Sequence, residues 1–240
     1  MGIILPVLIL LIGPLSGIMV HLFLKINTSK AISYTVIFSG SFLLGIALFG
    51  LMPELFDNIK RAGLWIVTGF LLQIILERFT GGLGHGHIHS HDIPKNELVL
   101  FAGLMLHALF EGYSAGLTNY MTPGILSGMI VGISIHEIPA AFSLSVLMTT
   151  RYRRKRYLLP VLGLYACSTP IGYMLGVFVH QESIISENLS QIITAIIAGT
   201  FLHISTTIVF ENSLWKKEGL RKWGMILAGL AISYIACLAG

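Results

Sequence analysis

The sequence predicts an all-α integral membrane protein, with eight transmembrane helices in one bundle and both termini outside. Three observations lead there. Of the 240 residues, 55% are hydrophobic and only 11% are charged, whereas a soluble domain carries about 25% charged residues. The mean hydropathy is +0.83. The apolar residues also gather into stretches long enough to cross a bilayer, which takes about 20 predominantly apolar residues per helix. Too little polar surface remains to cover a water-facing globule, so one transmembrane domain over 1–240 is expected. The net charge of +4 does not point to nucleic acid, because no polar domain is left to carry a basic face. Cys167 and Cys237 make no CxxC pair and lie in apolar stretches, which predicts buried thiols without a disulfide framework.

The first span, 2–24, reads as a retained helix. It is long for a signal peptide, lacks a basic leader, and has Pro6 and Pro14 where an uninterrupted apolar segment should be. The others are expected at 31–53, 62–80, 98–119, 122–149, 157–180, 190–211 and 222–239. Glycine and proline inside them are tolerated, because neighbouring helices re-satisfy the freed backbone groups. Orientation follows from the loops. The odd-numbered loops hold thirteen Lys and Arg residues, among them Arg151, Arg153, Arg154, Lys155 and Arg156, and the even-numbered loops hold two. Basic residues stay on the cytoplasmic side, so the odd loops are cytoplasmic and the termini outside.

The third loop, 79–97, is then a cytoplasmic His-rich segment. His85, His87, His89 and His91 alternate strictly in a glycine-rich stretch. Imidazole is a good ligand for zinc, copper, iron and nickel, so metal contact is expected. The glycines make that contact loose and exchangeable.

Ionisable side chains deep in a span are costly and mark ion or substrate pathways. His107 and Glu111 stand four apart near the middle of the fourth span, on one helix face. His136 and Glu137 stand near the middle of the fifth, followed by Pro139, which should kink or loosen the helix. Lys and Arg fall only at the ends of the expected spans, at Arg78 and Lys222, so none stands at mid-depth to pair with the two carboxylates. A divalent cation would neutralise them and take up the imidazole lone pairs. His203, alone on the seventh span, reads first as a helix-packing hydrogen bonder. Glu54 and Glu211, near span ends, suit a hydrated interface.

At these residues the sequence resembles the ZIP zinc and iron transporters. Leu106-His107-Ala108-Leu109-Phe110-Glu111-Gly112 resembles the family's fourth-span signature, and His136-Glu137-Ile138-Pro139 its fifth-span signature. Leu51-Met52-Pro53-Glu54 and Thr169-Pro170-Ile171-Gly172 are similar to its second-span and sixth-span segments. The resemblance implies two adjacent metal sites, import, and often a homodimer. At the primary site it points to His107, Glu111, His136 and Ala140, and at the second to Ala108, Glu137 and Thr169. Alanine and threonine replace usual ligands, so one main site at His107, Glu111 and His136 is expected, flanked by Glu137.

The expected function is import of a divalent transition metal, zinc first, through a mid-bilayer His/Glu site. No prosthetic group is expected, and the partners are divalent metal ions and the lipid bilayer. The setting is a plasma membrane, the inner membrane of a bacterium. The protein is not expected to be an enzyme: a zincin needs a second His four residues after the first, and that position after His136 is Ala140. A metal sensor or transport-impaired family member, and an intramembrane metal-dependent hydrolase, are the alternatives.

Overall fold

The computed structural model describes residues 2–24, 29–80, 97–118, 123–151, 155–211 and 219–238. These form α1 (Ile4–Leu24), α2 (Ser29–Gly45), a π-helical turn (Ile46–Leu51), α3 (Met52–Asn58), α4 (Ala62–Thr80), α5 (Glu97–Leu117), α6 (Pro123–Arg151), α7 (Lys155–Gln181), α8 (Glu187–Glu211) and α9 (Gly219–Leu238). No strand occurs among the described residues. Among the described residues six helical stretches are long and apolar enough to cross a membrane: Ile4–Phe23, Ser33–Asn58, Pro123–Thr149, Leu158–Gln181, Glu187–Phe210 and Gly219–Leu238. The second of these passes from α2 through the π-helical turn into α3. Residues 81–96, with His85, His87, His89 and His91, lie outside the described residues, as do 152–154 of the basic fifth loop.

Local chemistry sets several helix ends. Pro123 opens α6, where its missing N–H costs nothing. Ser186 caps α8 by accepting the Leu189 N–H at 3.3 Å, and Glu187 in the first turn complements the helix dipole. After α3 the chain turns through Arg61, whose φ of 64° lies in the left-handed region. Within the helices most hydroxyls bond back to their own carbonyls, as Ser41 does to Ile37 O at 2.7 Å. That suits an environment with no water to satisfy them.

The helices divide into two groups. α1, α5, α6 and α7 form one; α2 with its continuation through α3, α4, α8 and α9 form the other. The closest partners are α5 with α7, α1 with α6, α4 with α8, and α2 with α9. Glycine explains three of these pairings. A Cβ on Gly112 or Gly116 of α5 would run into the Thr169 or Tyr173 carbonyl of α7, and one on Gly172 or Gly176 of α7 into the Leu109 or Tyr113 carbonyl of α5. Gly13 and Gly17 of α1 meet the Ser134 and Ile138 carbonyls of α6 in the same way, and Gly69 of α4 and Gly199 of α8 meet the Ile196 and Ile66 carbonyls of each other's helix. In lipid no hydrophobic force drives helices together, so backbone approach of this kind supplies the packing. One core cluster joins the groups, with Met129 and Ile133 of the first against Leu51 and Phe201 of the second. Another, around Leu144, Leu162 and Tyr165, lies wholly within the first. Ile12, Leu71, Leu164, Phe178, Leu227 and Ile235 face outward.

Two expectations are corrected here. Cys167 is exposed and Cys237 only half-buried. In a lipid-facing bundle the outer surface is as apolar as the core, so an apolar neighbourhood does not imply burial. Lys222, counted among the thirteen basic residues of the odd-numbered loops, is fully buried and lies inside α9, which starts three residues earlier, at Gly219.

Candidate metal centre

Helix geometry builds the first half of the site. His107 and Glu111 are one turn apart on α5, and His107 Nε2 lies 3.4 Å from Glu111 Oε1. His136 enters from α6, with Nε2 3.9 Å from the same oxygen. The two imidazole rings meet edge to face with centroids 6.1 Å apart. One ligand atom from each of the three residues falls within 4.8 Å of the others. All three side chains are buried, His136 to 1% exposure and Glu111 to 3%. Four donors at zinc's bond length of about 2.1 Å stand about 3.4 Å apart in a tetrahedron. The separations of the two imidazole nitrogens from Glu111 Oε1, 3.4 and 3.9 Å, lie near that edge. His107 Nε2 and both Glu111 oxygens are buried with no hydroxyl, amide or backbone N–H donating to them, and the polar neighbour of Glu111 beyond the imidazoles is a second carboxyl, that of Glu137. Buried polar atoms left so are costly, and a cation at their centre would satisfy them.

Glu137 belongs to a different arrangement. Its Oε2 accepts a 2.6 Å hydrogen bond from the Tyr165 hydroxyl, and its Oε1 a 3.3 Å bond from Thr169 Oγ1. It is not one of the three converging residues, although its carboxyl stands next to that of Glu111. Tyr165 is the residue that sequence reasoning missed. Its signal was its place one turn before Thr169, on the same face of α7. Ala108 and Ala140, at positions where ligands are usual, are buried and offer no donor.

α6 runs unbroken through Pro139. What the proline removes is the N–H that would have bonded the Ile135 carbonyl, one turn back beside His136. His203 is elsewhere: its Nε2 lies 3.7 Å from Glu77 Oε2 on α4, with Phe70 edge-on at 4.9 Å. Glu54 is half-buried on α3, and the side chain of Glu211 is outside the described residues. A cavity of about 260 Å³ opens onto His107 and Glu111 between α5, α4 and α8. Gln73 and Thr200 add polar groups to a wall otherwise made largely of leucine and isoleucine.

A helical bundle with apolar outer flanks and a buried His/Glu/His cluster has the form of a membrane protein with a candidate site for a divalent metal ion. Comparison with known proteins gives the family. The family described as ZIP Zinc transporter matches residues 87–236, and the chain belongs to it. It is thus a multi-pass integral membrane protein of a transporter family. It is 27% identical over 158 aligned positions to zinc transporter ZIP1 of Danio rerio, covering 65% of this chain and 51% of that protein. It is 24% identical over 254 aligned positions to zinc transporter ZIP1 of Homo sapiens, covering 86% and 78%. With zinc transporter ZIP9 of Xenopus tropicalis it shares 28% over 162 positions, covering 62% and 52%. The chain thus spans about half the length of two of these relatives, 51% and 52%.

Proposed function

We propose that this protein imports a divalent transition metal, zinc foremost, into the cytoplasm, with His107, Glu111 and His136 holding the ion at mid-membrane. The observation that carries the reading is the convergence of two imidazoles and a carboxylate, buried and within ligand distance of one another. Two nitrogens and an oxygen suit zinc, and admit iron, manganese and cobalt. The ion is cargo, and no prosthetic group belongs to the scheme. The zinc transporters named among the relatives support the same cargo.

The finer reading has eight spans with both termini outside. α4 and α5 complete the set, and the excess of basic residues in the odd loops supports the orientation. His85, His87, His89 and His91 receive the ion on the cytoplasmic side, and Glu137 supports the centre from beside it. The ligands lie on α5 and α6 of one helix group, and the cavity opens toward α4 and α8 of the other. Movement of one group against the other would expose the centre to each side in turn. A homodimer is the proposed assembly. The helical architecture suits a plasma membrane, and in a bacterium the inner one, since the outer membrane takes β-barrels.

The test is flux. Purified protein in liposomes should take up zinc down its gradient, and His107→Ala should abolish most of that uptake. Metal binding without flux would instead favour a sensor, and turnover of a peptide or lipid a hydrolase.

A further inference from the structure

Hydroxyls near the metal centre divide into two kinds. Ser114 bonds back to Glu111 O at 2.6 Å, as hydroxyls do elsewhere in these helices. Tyr165 and Thr169 instead reach across from α7 to α6 and engage both oxygens of one carboxylate. Tyr165 is buried to 1% exposure, and Thr169 and Glu137 are buried as fully. The 2.6 Å separation is that of a charge-assisted O–H···O bond, the strong kind.

We propose that Tyr165, with Thr169, is a positioning residue that holds Glu137 beside the metal centre as an outer carboxylate, so that the centre takes one ion and favours zinc. This rests on the function proposed above. Three observations join to give it. Glu137 follows His136 directly, so its carboxylate is the nearest spare oxygen donor on α6. Each oxygen takes one hydroxyl hydrogen bond, which fixes the direction of the carboxylate, and swinging it fully toward the ion means straining or breaking those bonds inside a buried site. Nor can α7 follow such a turn, because Gly112, Gly116, Gly172 and Gly176 lock its backbone to α5.

The consequence is selectivity. With Glu137 held aside, the ion meets two imidazoles and one carboxylate. With Glu137 released, it meets two imidazoles and two carboxylates, and more oxygen favours harder ions such as manganese over zinc. The hydroxyls thus perform the outer support that carboxylates and carbonyls give metal ligands in other sites.

The experiment is competitive uptake of zinc and manganese by the full-length protein in liposomes. Tyr165→Phe should lower the zinc-to-manganese ratio by about tenfold, the size of change that loss of an outer partner brings to a metal site. Thr169→Val should lower it in the same direction and by less, while Thr169→Ser, which keeps the hydroxyl, should preserve it. Thermal melts establish that each variant is folded, and if Tyr165→Phe is not, Thr169→Val decides. An unchanged ratio in the folded, transporting variants would overturn the assignment. His107→Ala in the same assay separates the two levels of the argument. If it transports like the parent, the metal centre itself is wrong. If it is inactive while the Tyr165 and Thr169 variants keep the parental ratio, only the positioning role is wrong.

Discussion

His107 and His203 each sit well inside a helix and face a carboxylate, one in each helix group. Around His107 a second imidazole arrives from α6, and three donors lie within 4.8 Å in a buried setting. Around His203 there is Glu77 at 3.7 Å, with a side chain 25% exposed, and the edge-on ring of Phe70. No cluster of three His, Cys, Asp or Glu forms there among the described residues. Residue type and depth are similar in the two places. What differs is how many helices deliver a donor to one point. An imidazole–carboxylate pair with an aromatic neighbour ties α8 to α4, whereas a third donor from another helix makes a cage for an ion.

The contrast is most sharply tested by removing one member of each constellation. His107→Ala or His136→Ala should weaken metal uptake by at least about tenfold, since even outer partners of metal ligands are worth that much. The concentration dependence of zinc uptake in liposomes measures it. Next in size is the packing that holds the donors in place. Gly172→Leu would drive a side chain into the Leu109 carbonyl and should cost about 3 kcal/mol or more, the upper range for overpacking. A thermal melt of the purified variant reads this out, and Gly199→Leu, which strikes the Ile66 carbonyl in the other group, should cost a similar amount while leaving the metal centre's own helices untouched. His203→Ala should change stability by only about 0.6–2 kcal/mol, the range for polar contacts between membrane helices, and leave zinc affinity near the parental value. A loss of affinity as large as that of His107→Ala would erase the distinction between the two places. The smallest effect is expected at the loop: changing His85, His87, His89 and His91 to Ser should reduce zinc bound on the cytoplasmic side with little change in basal flux.

Much of the site was legible because helix geometry is local. His107 and Glu111 share a face by their spacing of four, and His136 was conspicuous as an imidazole in an apolar stretch. The direction of Glu137 was not legible. One residue along a helix turns the side chain by about 100°, and which neighbour stands there depends on α7, a separate span. Tyr165 was hidden for the same reason: in a sequence, a tyrosine among apolar residues looks like any packed aromatic. The two helix groups were equally out of reach. Their partners, α5 with α7 and α4 with α8, are not consecutive, and the glycines that join them are scattered among 26 in the chain. Cys167 shows the remaining difficulty, since lipid-facing and protein-facing positions have the same composition.

The central claim is that one ion is shared by His107, Glu111 and His136. X-ray absorption at the zinc edge tests it most directly, on full-length protein in which the four loop histidines are replaced by serine. The account predicts one zinc per chain with two imidazole nitrogens in its first shell, one of them lost in His136→Ala. Zinc bound with the same spectrum in a His107→Ala, His136→Ala double variant would contradict it.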